Sequence, residues 1–144
     1  MKKQKTDDKG FTLVELIVVL VILGILAAIL VPALLGYIDR AKGQQIVLNA
    51  KSCLTAAQAE YSSMYAVDES SLTSTRKTTI LNTADVPNCT KLVVGVKTDA
   101  KDPHSAYKII YVEYAEGGDS IYYDGKSWID TKPNTGGISL STIK

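Results

Sequence analysis

Apolar and polar positions divide this chain into regimes that predict its elements. From Leu16 to Leu35 (LIVVLVILGILAAILVPALL) twenty consecutive residues carry no charge. As a helix rising about 1.5 Å per residue, that run spans roughly 30 Å, the thickness of a bilayer's hydrocarbon core. After Gly36 the pattern turns amphipathic. Ile46, Ala50, Cys53, Leu54, Ala57, Tyr61, Met64 and Tyr65 recur at spacings of three and four, with Asn49, Lys51, Gln58 and Glu60 on the other side. No Pro or Gly interrupts Gln44 to Val67. The pattern therefore predicts one helix from Phe11 to about Ala66, roughly 84 Å long. Its first half is apolar all round, and its second half has one stripe to lay against a sheet. Pro32 cannot donate to the carbonyl of Ala28 and is expected to kink the first half, with Gly24 a second weak point.

Beyond the helix the period changes. Asp68 to Cys89 is rich in Ser, Thr and Asn and reads as a connecting loop, with a short turn of structure around Thr79–Leu81. Strands are expected at Lys91–Lys97, Tyr107–Ala115, Ser120–Tyr123 and Lys126–Ile129. Glu116-Gly117-Gly118-Asp119 and Asp124-Gly125 are hairpin signals, the second of the two-residue type, so the sheet is antiparallel. From Asp130 the tail looks irregular, with Ile138-Ser139-Leu140 as a last edge strand. The fold class is α+β: a long N-terminal helix packed on a small antiparallel sheet.

Composition narrows the function. Outside the first ten residues and the apolar half-helix at 11–35, 109 residues remain, enough for one small domain with its own core. The first ten residues carry four lysines against two aspartates, so the other side chains sum to −1 against +1 for the full chain. No basic face dominates, and nucleic-acid binding is not expected as the main activity. Catalysis finds no support: the one histidine, His104, follows Pro103 in an expected turn, and no nucleophile setting or phosphate-cradling Gly loop is present. Zinc lacks ligands at suitable spacing, and Asp119, Asp124 and Asp130 each fit a turn without calcium. No cofactor and no metal are expected. Tyr107, Tyr111, Tyr114, Tyr122 and Tyr123 read as cross-strand pairs and a sheet face against the helix. Asn88-Cys89-Thr90 matches a glycosylation triplet that is common by chance, and glycosylation is not predicted.

The chemistry concentrates at Lys9-Gly10-Phe11-Thr12-Leu13-Val14-Glu15. Glu15 is the one charge in the apolar run that begins at Phe11, and a carboxylate at the end of such a segment asks for a partner. Cleavage after Gly10 frees an α-amine at Phe11, which shares a helix face with Glu15 at i and i+4. An ordinary secretory signal has an apolar stretch of about 7–15 residues closed by a small-x-small site, shorter than this run. A plain membrane anchor explains the length but neither Glu15 nor the Gly10–Phe11 junction.

GFTLVELIVVLVILGILAAILVPALLGYIDRAK, within Lys9 to Lys42, resembles the N-terminal signature of type IV pilins and pseudopilins. The shared marks are a leader ending in Gly, an aromatic first mature residue, a Glu five positions in, and Gly24 and Pro32. Beyond Lys42 only the layout is compatible. The resemblance implies prepilin-peptidase cleavage at Gly10–Phe11, N-methylation of Phe11, and filament assembly through Phe11, Thr12 and Glu15. It also implies that helical structure loosens between Gly24 and Pro32 when subunits polymerise. The implied layout is a leader at 1–10, a transmembrane and filament-core half-helix at 11–35, an amphipathic half-helix at 36–67, an αβ-loop at 68–90, and the sheet and tail at 91–144, with 36–144 one globular domain. The subunit would wait in the cytoplasmic membrane among lipid, then assemble with its own copies, through the pilus assembly machinery, into a helical filament at the cell surface.

That reading makes the chain a structural subunit, a major pilin, serving adhesion, motility or DNA uptake. Two alternatives stay open. One is a pseudopilin of a type II secretion or competence system; major secretion pseudopilins usually carry a Pro-Trp-Gly stretch before the sheet, whereas Trp128 here follows Ser127 late in the chain. The other is a monomeric membrane-anchored binding module. Export favours a candidate disulfide between Cys53 and Cys89, 36 positions apart, against two buried thiols. Many pilins clamp a C-terminal region with a disulfide, and neither cysteine here is C-terminal.

Overall fold

The computed structural model describes residues 10–144, so the expected leader, apart from Gly10, lies outside the described residues. The chain divides into two compact units, Met1–Ala41 and Lys42–Lys144. The expected α+β, pilin-like class is observed, with one long N-terminal helix and a five-stranded antiparallel sheet.

Helix α1 runs continuously over Leu13–Ala66, within two residues of the expected start and ending at the expected residue. It stays helical through Gly24 and Pro32. In the first unit its side chains are exposed throughout, from Leu13 at 72% to Leu35 at 57%. This stretch is long and apolar enough to cross a membrane, and none of it is buried.

In the second unit the amphipathic stripe of α1 meets the sheet. Ala50, Cys53, Ala57, Tyr61 and Met64 are buried as the spacing predicts, Ala56 joins them, and Ile46 and Leu54 pack at the margin. Tyr65 departs from the stripe: it is half exposed and lies against the rings of His104 and Tyr107 instead. The helix closes when Asp68 turns left-handed (φ 54°) and the Glu69 N–H donates back to the Met64 carbonyl at 3.0 Å. An Asx residue tolerates that conformation where glycine is usual.

The span 68–90 is not simply a loop. Its centre is helix α2, Ser74–Ala84, capped by the Thr73 hydroxyl and ended by Asp85 in the left-handed region (φ 50°). Ser and Thr are weak helix formers, so propensity alone points to a loop. Burial of Ile80 and Ala84, one turn apart, overrides it. Arg76 fixes the helix further, reaching Glu60 of α1 at 2.8 Å and Glu69 at 2.8 Å.

The strands are β1 (Cys89–Val96), β2 (Ile109–Glu116), β3 (Asp119–Tyr123), β4 (Trp128–Ile129) and β5 (Ser139–Thr142). Their spatial order is β4-β3-β2-β1-β5, every pair antiparallel. Between β1 and β2, Pro103–Tyr107 forms a short 3-10 turn, so β2 starts two residues later than expected. Gly117 and Gly118 make the expected tight hairpin, both at positive φ. The Asp124-Gly125 turn is longer than expected. Pairing of Tyr123 with Trp128 leaves four residues in the loop, and the Asp124 carboxylate accepts N–H bonds from Lys126 and Ser127. Tyr123 and Trp128 stack across strands at 5.3 Å, and Tyr114 faces the helix core, as expected of the tyrosines.

The tail crosses the sheet. Since β4 and β5 lie at opposite edges, the residues between them must pass over β3, β2 and β1. They do so on the face away from α1, where Lys132 reaches Glu113 and Ile138 lies over Gly95. Val93, Tyr111 and Glu113 on that face are consequently buried.

Candidate functional site

The candidate site begins where helical structure begins. Gly10, Phe11 and Thr12 precede α1 in exposed, non-helical backbone, and Phe11 is 81% exposed. A Cβ built on Gly10 meets no described atom within 4 Å, so nothing in the described fold demands glycine there.

Thr12 caps the helix and Glu15 occupies its third position. The Thr12 N–H donates to Glu15 Oε2 at 2.8 Å, the Thr12 hydroxyl donates to the same oxygen at 2.7 Å, and the Glu15 N–H donates to Thr12 Oγ1 at 3.3 Å. This is a capping box, in which two orphan amides of the first turn are satisfied reciprocally. Negative charge at this end also complements the helix dipole. Every described contact of the carboxylate falls on Oε2, and among the described residues Oε1 has none. The T-x-x-E spacing carries this signal, and Thr12, expected from the sequence only in assembly, is also the helix cap.

The other expected site residues lie apart. Gly24 and Pro32 sit within the exposed apolar helix, and a Cβ at Gly24 meets nothing within 4 Å. Cys53 and Cys89 share one core cluster in the second unit, where both are free thiols, 0% and 2% exposed, with the candidate disulfide not formed. Burial first, then Cys89 and Glu116, pushes the Cys53 thiol up to about 12. Glu116 accepts from the Tyr114 hydroxyl at 2.6 Å and Asn49 at 2.7 Å, which hold its carboxyl below the usual range.

Sequence reading missed one charged cluster. Glu113 is 6% exposed beneath the tail, bound by Lys91, by Lys132 at 3.2 Å and by the Tyr111 hydroxyl at 3.0 Å. Burial alone raises its carboxyl, but hydrogen bonds from Lys91, Lys132 and Tyr111 outweigh that and hold it below the ordinary value. The alternation of β2 puts Glu113 on the face away from the helix, which reads as solvent unless the tail's path is known.

Residues 5–31 match the family described as the prokaryotic N-terminal methylation motif. The chain is 39% identical to the type II secretion system core protein G of Klebsiella michiganensis over 67 residues, 46% of this chain and 44% of that protein. It is 42% identical to the core protein G of Pseudomonas aeruginosa over 74 residues, 51% of this chain and 49% of that one. It is also 43% identical to the type IV major pilin protein PilE1 of Neisseria gonorrhoeae over 56 residues, 39% and 34% of the two chains. Each match thus spans less than half the length of these relatives. No solved structure matches. Its N-terminal motif and pilin-like α+β fold make the chain similar to type IV pilins and pseudopilins. The relatives fall on both sides of that family, which leaves the branch open.

Proposed function

We propose that this chain is a filament subunit of the type IV pilin class, assembling through its N-terminal helix and not acting as an enzyme. The observation that carries this reading is the exposed apolar stretch of α1, charged only at its first turn by Glu15. An uncovered helix of this kind needs lipid or other apolar helices around it. Lipid supplies this before assembly and neighbouring copies supply it afterwards.

Cleavage falls at Gly10–Phe11 in accessible backbone, and the released Phe11 amine is then methylated. The capping box leaves Glu15 Oε1 to accept from the Phe11 amine of an adjacent subunit while Oε2 keeps Thr12. A buried carboxylate without that amine is strongly disfavoured, so the pair sets axial register. Gly24 and Pro32 give the helix a place to loosen during packing, since Pro32 removes one ladder bond.

The test is a strain whose only copy carries Glu15→Val. Sheared surface fibres, detected by immunoelectron microscopy, should fall sharply while the membrane-held subunit stays abundant. Undiminished fibre yield would remove the charge-pairing argument. Intact-mass analysis of wild-type fibres should give a chain starting at Phe11 plus one methyl group, and any other terminus would sink the processing step.

A second reading, a secretion pseudopilin, rests on the matches to core protein G, two of which, at 67 and 74 residues, run longer than the 56 of the pilin match while a third covers 44. It predicts lost secretion of folded proteins in a deletion strain with few or no long surface fibres.

A further inference from the structure

A pocket of about 350 Å³ opens between the last turns of α1 and the segment that joins β1 to β2. Three rings build its wall. Tyr65 meets His104 edge-on at 4.8 Å and Tyr107 at 5.4 Å, with ring planes 90° and 59° apart. Lys97 and Lys108 line the same pocket. Neither ammonium pairs with a carboxylate among the described residues.

The surrounding loop is fixed by its own hydrogen bonds. The Asp102 carboxylate caps the 3-10 turn by accepting the His104 N–H at 3.0 Å. Ser105 Oγ donates to the Asp102 carbonyl at 2.6 Å and accepts the Asp99 N–H at 2.7 Å. Gln58 is likewise engaged on both sides, donating to the Tyr107 carbonyl and accepting the Ile109 N–H. The Ser62 hydroxyl donates to the Gln58 carbonyl. A preformed pocket gives up little entropy on binding.

Those engagements decide what the pocket offers. Its uncommitted polar groups are two ammonium ions, tyrosyl hydroxyls, an imidazole and Asp102 Oδ2, so donors outnumber the one free acceptor and two positive charges stand against one negative, beside aromatic surface. The complementary ligand brings negative charge and a face of C–H bonds. No two of the measured ring pairs are parallel, so they form a corner and not a slot for a flat base. A puckered ring with C–H groups on two sides fits a corner, and base stacking needs a parallel face.

We propose that this pocket binds an acidic sugar residue, with its carboxylate on Lys97 and Lys108 and its ring against Tyr65 and Tyr107. The experiment titrates the full chain, in detergent, with trigalacturonate, a neutral trisaccharide, inorganic phosphate and a short single-stranded oligonucleotide. Saturable trigalacturonate binding, absent for the neutral sugar, is expected. Tyr65→Ala and the Lys97→Ala/Lys108→Ala pair should each weaken it by about tenfold, the loss of one good contact, while Tyr65→Phe retains it. Tyr65 is half exposed, so its variants should fold, and unchanged thermal melting checks this. The proposal is overturned by absent saturation, by equal binding of phosphate or the oligonucleotide, or by trigalacturonate binding that ignores Tyr65→Ala.

Discussion

Glu113 is expected to hold the tail over the outer face of the sheet, and Glu113→Gln measures how firmly. The substitution keeps shape and removes charge. Its two lysine partners are 49% and 54% exposed, so each can return to water and the loss is smaller than for a fully buried ion pair. The Tyr111 hydroxyl is buried but can still donate to the new amide oxygen. Together these place the cost at about 1–2 kcal/mol, since hydrogen bonds to charge are stronger than neutral ones. For a domain of this size that lowers Tm by about 5–15 °C. Glu113→Ala also strands the Tyr111 hydroxyl and should cost about 3 kcal/mol. Limited proteolysis, with cleavage mapped by mass, should find new cuts between Asp130 and Ile138 in both variants. Acid provides an independent arm. The folded carboxyl is held below its ordinary value, so its stabilisation is full above the ordinary carboxylate range and is lost as pH falls through the depressed value. Lys91, Lys132, Tyr111 and Tyr122 are the titratable groups acting on it or its partners, and none loses its positive charge or gains negative charge on acidification. The Tm gap between wild type and Glu113→Gln should therefore narrow from pH 7 to below about pH 4. An unchanged Tm and unaltered tail cleavage in Glu113→Gln would refute the strap.

Three further outcomes are expected. Gly95→Ala drives a Cβ to 2.6 Å from Ile138 Cγ2, 2.9 Å from Leu140 Cδ2 and 3.0 Å from Tyr111 Cβ; it should destabilise by about 1–3 kcal/mol in thermal unfolding and expose the tail to protease. Asp85→Gly relieves a left-handed non-glycine cap at φ 50° and should raise stability by about 0.5–1 kcal/mol, a gain that denaturant titration resolves. Cys53 and Cys89 should be recovered as one linked species by non-reducing peptide mapping of exported material, adding roughly 3–4 kcal/mol by chain entropy; free alkylatable thiols at both positions would favour the buried pair instead. Oxidation is expected before the domain closes, because the folded Cys53 thiol, pushed up to about 12, is a poor source of thiolate at neutral pH.

Legibility in the sequence followed the physical strength of each signal. The apolar run and the three-four stripe describe α1 because burial or lipid contact is periodic in the chain itself. Gly117-Gly118 marks a hairpin because its turn needs two positive φ angles. Where a different residue type performs the same task, the reading failed. Asp68 and Asp85 end helices in the left-handed region, and neither announces itself as glycine does. Helix α2 hides in Ser/Thr composition because only Ile80 and Ala84 are deeply buried, while Arg76 ties it to Glu60, a partner outside the segment. Tyr65 follows the stripe in spacing, but the aromatic contacts of the 103–107 turn draw it to the surface.

The candidate assembly site was legible for a related reason. One carboxylate in an apolar run is conspicuous whatever the fold around it, and Glu15 could be singled out without knowing its partner. Its local partner was also written in the chain, as Thr12 three residues earlier, yet a capping box draws attention only when the helix start is known to fall between them. Resolving that start changes the chemistry proposed for the site. A Glu15 with no local bond would have to leave its subunit unsatisfied until a neighbour arrived. With Oε2 held by Thr12, the carboxylate is partly compensated and already aimed, and in the proposed filament docking would add the amine to the other oxygen. Thr12→Ala and Glu15→Val then separate two contributions. The first should slow assembly while leaving the final register intact, because it removes the orientation and keeps the charge. The second removes the pairing itself. Equal fibre yields and equal assembly rates from Thr12→Ala and wild type would mean that the capping box serves the helix end alone.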